Sequence, residues 1–258
     1  MDAPARLALP DGGSLAYHRT PARGEGAAAP GVMFPGVMFL GGFASDMTGT
    51  KATRLEAWAK ARGRAFLRFD YTGHGASSGR FEDGTIGRWA ADAEAAFDAL
   101  TEGPTILVGS SMGGWIALLL AMRRPERVAG FVGIAAAPDF TEDAMWATMT
   151  EAQRAALAAE GRIETPSAYA DAPYVITRAL IEDGRERLVL RAPLRLDCPV
   201  RLLQGSADAD VPPSVALRLF EHLDAPDVRL ELVKGADHRF SGPRELAIIE
   251  AAIESLSA

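Results

Sequence analysis

Ser111 stands within Gly109-Ser110-Ser111-Met112-Gly113, a G-x-S-x-G spacing. A serine hydroxyl becomes a useful nucleophile when a base takes its proton and a sharp turn exposes its oxygen. Small neighbours let such a strained strand-to-helix turn close. The letters alone are weak, because Gly75-Ala76-Ser77-Ser78-Gly79 matches too. Context separates the two. An apolar run, Thr105 to Val108, leads into Ser111, and another, Met112 to Met122, leaves it. Ser77 follows a polar loop, and Arg80-Phe81-Glu82-Asp83-Gly84 after it starts no helix. Ser111 is the expected nucleophile; the bland alternative is a tight turn with a buried hydroxyl.

Four histidines could serve as the base. His18 and His222 read as surface residues, and His74 sits in a glycine-rich loop. His238 follows the last strand-like run, in Gly235-Ala236-Asp237-His238. A loop at the carboxyl end of a parallel strand can carry an imidazole over the elbow. His238 is therefore the expected general base, in a Ser–Asp–His chain order. A carboxylate must hold its tautomer. Gly205-Ser206-Ala207-Asp208-Ala209-Asp210-Val211-Pro212 offers two. Asp208, closer to the strand end, is preferred; Asp210 is the alternative, and the one not used is expected to cap the next helix. The oxyanion donors are expected to be the backbone N–H groups of Met112, at a helix start, and of Phe43, in Gly41-Gly42-Phe43 after a strand.

The elements that would position these residues alternate. Strands are expected at Val37 to Leu40, Ala65 to Phe69, Thr105 to Val108, Val128 to Ile134, Val200 to Leu203 and Val228 to Val233. Helices are expected at Thr50 to Arg62, Ile86 to Leu100, Met112 to Met122 and Ser214 to Leu223, with a last one carrying Leu246, Ile249, Ile253 and Leu256. Leu7 to Leu9 and Leu15 to Tyr17 flank an Asp-Gly turn and read as a hairpin. Such alternation implies an α/β fold, a mostly parallel central sheet with helices on both faces. Pro30-Gly31-Val32-Met33-Phe34 is repeated as residues 35–39; the second copy is expected to be the central strand, the first an edge extension or loop. Residues 138–195 break the alternation and read as a helical cap inserted into a core of residues 1–137 and 196–258. Thr150 and Gln153 have capping-box spacing there, and Tyr174 to Ile181 reads as a second helical segment. Met145, Trp146, Met149 and Tyr174 are the candidate apolar roof over a substrate.

Composition narrows the function classes. Asp plus Glu exceeds Lys plus Arg, 34 to 27, for a formal net charge of -7, which argues against a nucleic-acid partner and against an anionic membrane surface. Cys198 is the single cysteine, so neither an intrachain disulfide nor a cysteine metal cluster can form. No cofactor or metal is expected, and a cytoplasmic location is. Pro104 to Met122 is long enough to span a bilayer, but Gly109, Ser110, Ser111, Gly113 and Gly114 interrupt it, so it divides better into strand and helix. The N-terminal residues lack a basic and apolar secretory pattern. Abundant alanine and arginine with only three lysines, Lys51, Lys60 and Lys234, fit a GC-rich bacterial genome.

Over nearly its whole length the chain resembles the α/β-hydrolase superfamily. The resemblance rests on Gly41 to Phe43 with Asp46 to Ala52, on Arg68 to Ser77, on Val108 to Trp115, and on Asp237-His238-Arg239. More narrowly it is similar to the branch of animal mitochondrial depalmitoylases and acyl-glucuronide esterases and their bacterial relatives. That likeness implies Ser111, Asp208 and His238 as a triad, the Phe43 and Met112 amides as oxyanion hole, and Asp70 to Ser77 as a structural loop. Two departures stand out: Gly41 occupies a place where many members carry histidine, and the 30–39 duplication sits just upstream. The expected activity is cleavage of carboxylic esters or thioesters, small-molecule substrates, through an acyl-enzyme. Acyl transfer, perhydrolysis, carbon–carbon cleavage and a catalytically silent binding protein are the alternatives.

Overall fold

Val37, Phe39, Ile106 and Val108 point into one apolar layer, and Met38, Leu40 and Leu107 into the other. This period of two, buried on both sides, is what a central parallel strand requires. The computed structural model describes residues 3–22, 35–166 and 173–257. The expected loop from Thr20 to Pro30 and the first duplicate copy, residues 30–34, lie mostly or wholly outside these.

The chain opens with strands β1 (Ala5–Ala8) and β2 (Ser14–Thr20), an antiparallel hairpin. β3 (Gly36–Leu40), helix α1 (Thr50–Ala61), β4 (Phe66–Phe69), α2 (Ile86–Leu100), β5 (Thr105–Ser110), α3 (Met112–Arg123) and β6 (Val128–Ile134) follow. Between β6 and β10, outside the main sheet, come a π-helical turn (Thr141–Trp146), α4 (Glu151–Glu160), β7 (Arg162–Thr165), β8 (Tyr174–Thr177), α5 (Arg178–Arg185) and the two-residue β9 (Leu194–Arg195). The chain then runs through β10 (Val200–Gly205), α6 (Pro213–His222), β11 (Leu223–Asp224), β12 (Val228–Val233) and α7 (Pro243–Glu254).

The main sheet has the order β1-β2-β4-β3-β5-β6-β10-β12. Only the pairings of β2 with β1 and β4 are antiparallel. Trp89 and Phe97 of α2 and Trp115 and Leu118 of α3 fill one face; Leu55 and Trp58 of α1 and Ile249 and Ile253 of α7 fill the other. The second copy of the repeat is thus the central strand, with Pro35 just ahead of the ladder, where its missing N–H costs nothing.

At the start of α4 the Thr150 hydroxyl accepts from the Gln153 N–H while the Gln153 side chain accepts from the Thr150 N–H, so both halves of the capping box form. Gly161 closes α4 at φ 76°. The expected helix from Tyr174 to Ile181 is half wrong. Tyr174–Thr177 is a strand antiparallel to β7, and helix begins only at Arg178, with the Thr177 hydroxyl as its N-cap. The aromatic and β-branched run Tyr-Val-Ile-Thr suits a pleated strand, and so short an apolar run has no readable period. Buried Asp139, just before the π-helical turn, ties it to the segment after α5, accepting from the Val189 and Leu190 N–H groups at 2.8 and 2.9 Å. The Trp115 indole N–H donates to the Arg187 carbonyl at 3.1 Å, tying the same segment to α3.

Candidate active site

Ser111 occupies the turn between β5 and α3 at φ 53° and ψ -120°. A side-chain-bearing residue rarely adopts this backbone, and it costs on the order of 1–3 kcal/mol. The surroundings impose it: the Ser111 N–H donates to the Ile134 carbonyl at 2.9 Å, and the Ser111 carbonyl accepts from Gly114 and Ala137. Glycine is required on both sides. A Cβ at Gly109 would overlap the Gly113 carbonyl, and one at Gly113 would overlap the Leu40 and Gly41 carbonyls. These are backbone atoms that cannot swing away, so the elbow fits only with the motif's two glycines. The same closeness brings the loop after β3 against the elbow, with a Cβ built on Gly42 lying 3.4 Å from the Ser111 Cβ.

Two amides can face an oxyanion here. Met112 is the first residue of α3, where N–H groups lack intrahelical partners and the helix dipole favours negative charge. Phe43 lies in the loop after β3, and both residues line one cavity with Ser111 and His238. Loop residues 42–47 are held from behind. The buried Asp70 carboxylate accepts from the Met47 N–H at 2.6 Å and from the Ala76 N–H at 2.8 Å, and Arg68 donates to the Met47 carbonyl at 2.8 Å. The Phe43 ring meets Phe81, Phe140 and Tyr174 edge-on.

His238 lies in the loop after β12, and its Nδ1 is 2.9 Å from Asp208 Oδ2. A carboxylate only accepts, so Nδ1 carries the proton and Nε2 is left with a lone pair. Asp208 is 7% exposed and fully engaged. Its Oδ1 accepts from the Asp210 and Val211 N–H groups at 3.0 and 2.8 Å, and its Oδ2 also accepts from Gln204 Nε2 at 3.0 Å. Burial works against ionisation, but the hydrogen bonds from His238, Val211 and Gln204 outweigh it and hold the carboxyl below its ordinary value. No hydrogen bond joins Ser111 Oγ to His238 among the described residues. Catalytic contacts of this kind often tighten only when substrate binds. Asp208, Asp210 and His238 could crowd a cation between them. The Asp208 oxygens, however, are already taken by N–H donors, which suits an imidazole partner rather than a metal.

The other sequence candidates fall elsewhere. Asp210 does not cap α6; that helix starts after Pro212 with no side-chain cap, because the proline pair already sets its first turn. Ser77 is structural: its hydroxyl donates to the Asp70 carbonyl and accepts from the Ala16 N–H. His74 is buried among Tyr71, Phe81 and Trp89, and burial pushes it down to about 4 despite the Thr72 carbonyl beside it. The cavity, of about 580 Å³, has Met145 and Tyr174 in its wall together with Phe140, Val211 and Val215. That volume is typical of a small-molecule site. Trp146 and Met149 are not in that wall. Trp146 is clasped between the guanidinium groups of Arg154 and Arg185, and Met149 packs against the core. Three residues of the site escaped sequence reasoning. Phe140 and Lys51 line the cavity, and Gln204 steadies Asp208. A glutamine inside the apolar run of β10 was the available signal for the last.

Comparison with known proteins decides the family. The sequence profile of the alpha/beta hydrolase family matches residues 12–248. The chain belongs to the alpha/beta hydrolase family. Among curated members, the mouse protein named palmitoyl-protein thioesterase ABHD10, mitochondrial, is 37% identical over 244 residues, covering 94% of this chain and 78% of that protein. The rat protein of the same name is 35% identical over 251 residues, covering 97% and 81%. Among solved structures, a protein from Agrobacterium vitis S4 superposes with a TM-score of 0.91 at 43% identity, covering all of both chains. Mouse alpha/beta hydrolase domain-containing protein 10 gives 0.87 at 32%, covering 99% and 98%. The hydrolase reading of the sequence therefore holds at the level of family and fold. No helix among the described residues is long and apolar enough to cross a membrane.

Proposed function

We propose that this alpha/beta hydrolase cleaves carboxylic esters or thioesters through an acyl-enzyme on Ser111, and that medium or long acyl groups fill its cavity. The observation that carries the reading is the Asp208–His238 contact at 2.9 Å on the same cavity as a strained Ser111. Ser111 Oγ attacks the acyl carbon as His238 Nε2 takes its proton. The tetrahedral oxyanion then lies between the Phe43 and Met112 N–H groups, placed to stabilise charge that develops only in the transition state. Collapse breaks the bond to the leaving oxygen or sulfur, which receives the proton from His238. A water then attacks the acyl-enzyme and gives its proton to His238; collapse breaks the bond to Ser111 Oγ, which takes that proton back from His238, and the carboxylic acid leaves. Asp208 stays ionised throughout and balances the imidazolium.

The acyl preference is supported by Phe140, Met145, Tyr174, Val211 and Val215 in the cavity wall. The relatives' name, palmitoyl-protein thioesterase, points the same way. Each buried methylene contributes about 0.8 kcal/mol. A series of p-nitrophenyl esters from acetyl to palmitoyl should therefore show kcat/KM rising roughly tenfold or more from acetyl to the best longer chain. Tyr174→Ala should flatten that rise while leaving acetyl turnover nearly unchanged. A wild-type enzyme that prefers acetyl would remove the acyl-chain part of the proposal.

A further inference from the structure

Lys51 sits in the first turn of α1, lines the cavity, and donates from Nζ to the backbone carbonyl of Arg239, the residue after His238. Burial pushes its ammonium down to about 8; Asp237 draws the charge up and Arg239 pushes it further down. A methionine would fill the same volume without desolvating an amine, so the hydrogen bond is what the lysine adds. That bond lies where the base loop needs it. Ahead of His238 the loop is fastened to the β10 side, by the Gly235 N–H to Ser206 Oγ at 2.9 Å and by the Ala207 N–H to the Ala236 carbonyl at 3.0 Å. Beyond His238 the chain must turn through Phe240 at φ 47°, with its ring fully buried. Lys51 grips the peptide between these two points.

We propose that Lys51 is a positioning residue, holding the backbone that follows His238 against α1 so that the imidazole, fixed by Asp208 at Nδ1, keeps Nε2 directed at Ser111. The same side chain links the base loop to the segment bearing the Phe43 amide. Residues 43–50 run straight into α1, and their other side is anchored at Met47 by Asp70 and Arg68. One lysine thus sets the spacing between base and oxyanion donor. The charged groups facing it are Asp237 and Arg239 on the base loop, with Asp46 and Asp210 also on the cavity.

This rests on the proposed Ser111–His238 chemistry, and the test separates the two. Lys51→Met keeps the apolar stem and removes the donor. Loss of this bond predicts kcat down roughly tenfold, with KM within about twofold. Labelling of Ser111 by a fluorophosphonate, which needs the same base, should slow in the same proportion. Lys51→Arg, which restores a donor, should recover most of the loss. Lys51→Gln ends one atom short of the carbonyl and should behave like Lys51→Met, which keeps the test open if methionine impairs folding. Unchanged kcat in Lys51→Met, or a raised KM with kcat preserved, would overturn the proposal, the latter because it marks a substrate contact instead. If Ser111→Ala is dead while Lys51→Met matches wild type, only the positioning role fails. If Ser111→Ala is active, the chemistry beneath it fails.

Discussion

Ser111→Ala should lower kcat for a p-nitrophenyl ester by about 10⁴ to 10⁶-fold, leaving only the residual rate that oxyanion donors and binding supply. The change removes one oxygen from a turn whose backbone is held by Ile134, Gly114 and Ala137, so the fold should persist. Alanine at φ 53° carries the same strain as serine. Steady-state kinetics checks the rate, and an unchanged thermal melt checks that the fold survives. A variant within tenfold of wild type would mean that another group does the chemistry.

Asp208→Asn should cost about 10⁴-fold in kcat, for a different reason. The asparagine oxygen can still accept from the Asp210 and Val211 N–H groups, so the loop keeps its shape. Its amide nitrogen then faces His238 as a donor. The imidazole must answer with a bare Nδ1, which puts the proton on Nε2 and removes the lone pair that Ser111 requires. The loss should be mainly in kcat, with KM little changed, because Asp208 is buried behind the imidazole. Its measurement is a kcat-against-KM comparison at neutral pH, where the wild-type carboxyl, held below its usual range, is fully ionised. A loss confined to KM would contradict the role.

Much of this site is legible in the sequence. The strand-elbow-helix of residues 105–122 is apolar on both sides of a glycine-flanked serine, and few local structures satisfy that pattern. The inner strands β3, β5 and β6 read correctly because two-sided burial leaves a nearly continuous apolar run, whereas the edge strand β12, Val-Arg-Leu-Glu-Leu-Val, reads by its alternation. What escaped depends on contacts between segments far apart in the chain. Tyr174 to Thr177 becomes a strand because β7 lies beside it, and no local period announces that. Lys51 gains its place only when Arg239, distant in sequence, arrives at its amine. By type Trp146 suits a cavity roof, yet the guanidinium groups of Arg154 and Arg185 lie over its ring. Residue type suggests what a side chain can do; its partners decide which of those things it does.

The most direct test of the central claim is to treat the whole protein with a fluorophosphonate and locate the adduct by tandem mass spectrometry. One phosphonyl group is expected, on Ser111, formed rapidly in wild type, slowly in Asp208→Asn and not at all in Ser111→Ala. An adduct on another residue, or a catalytically active protein that takes none, would contradict it.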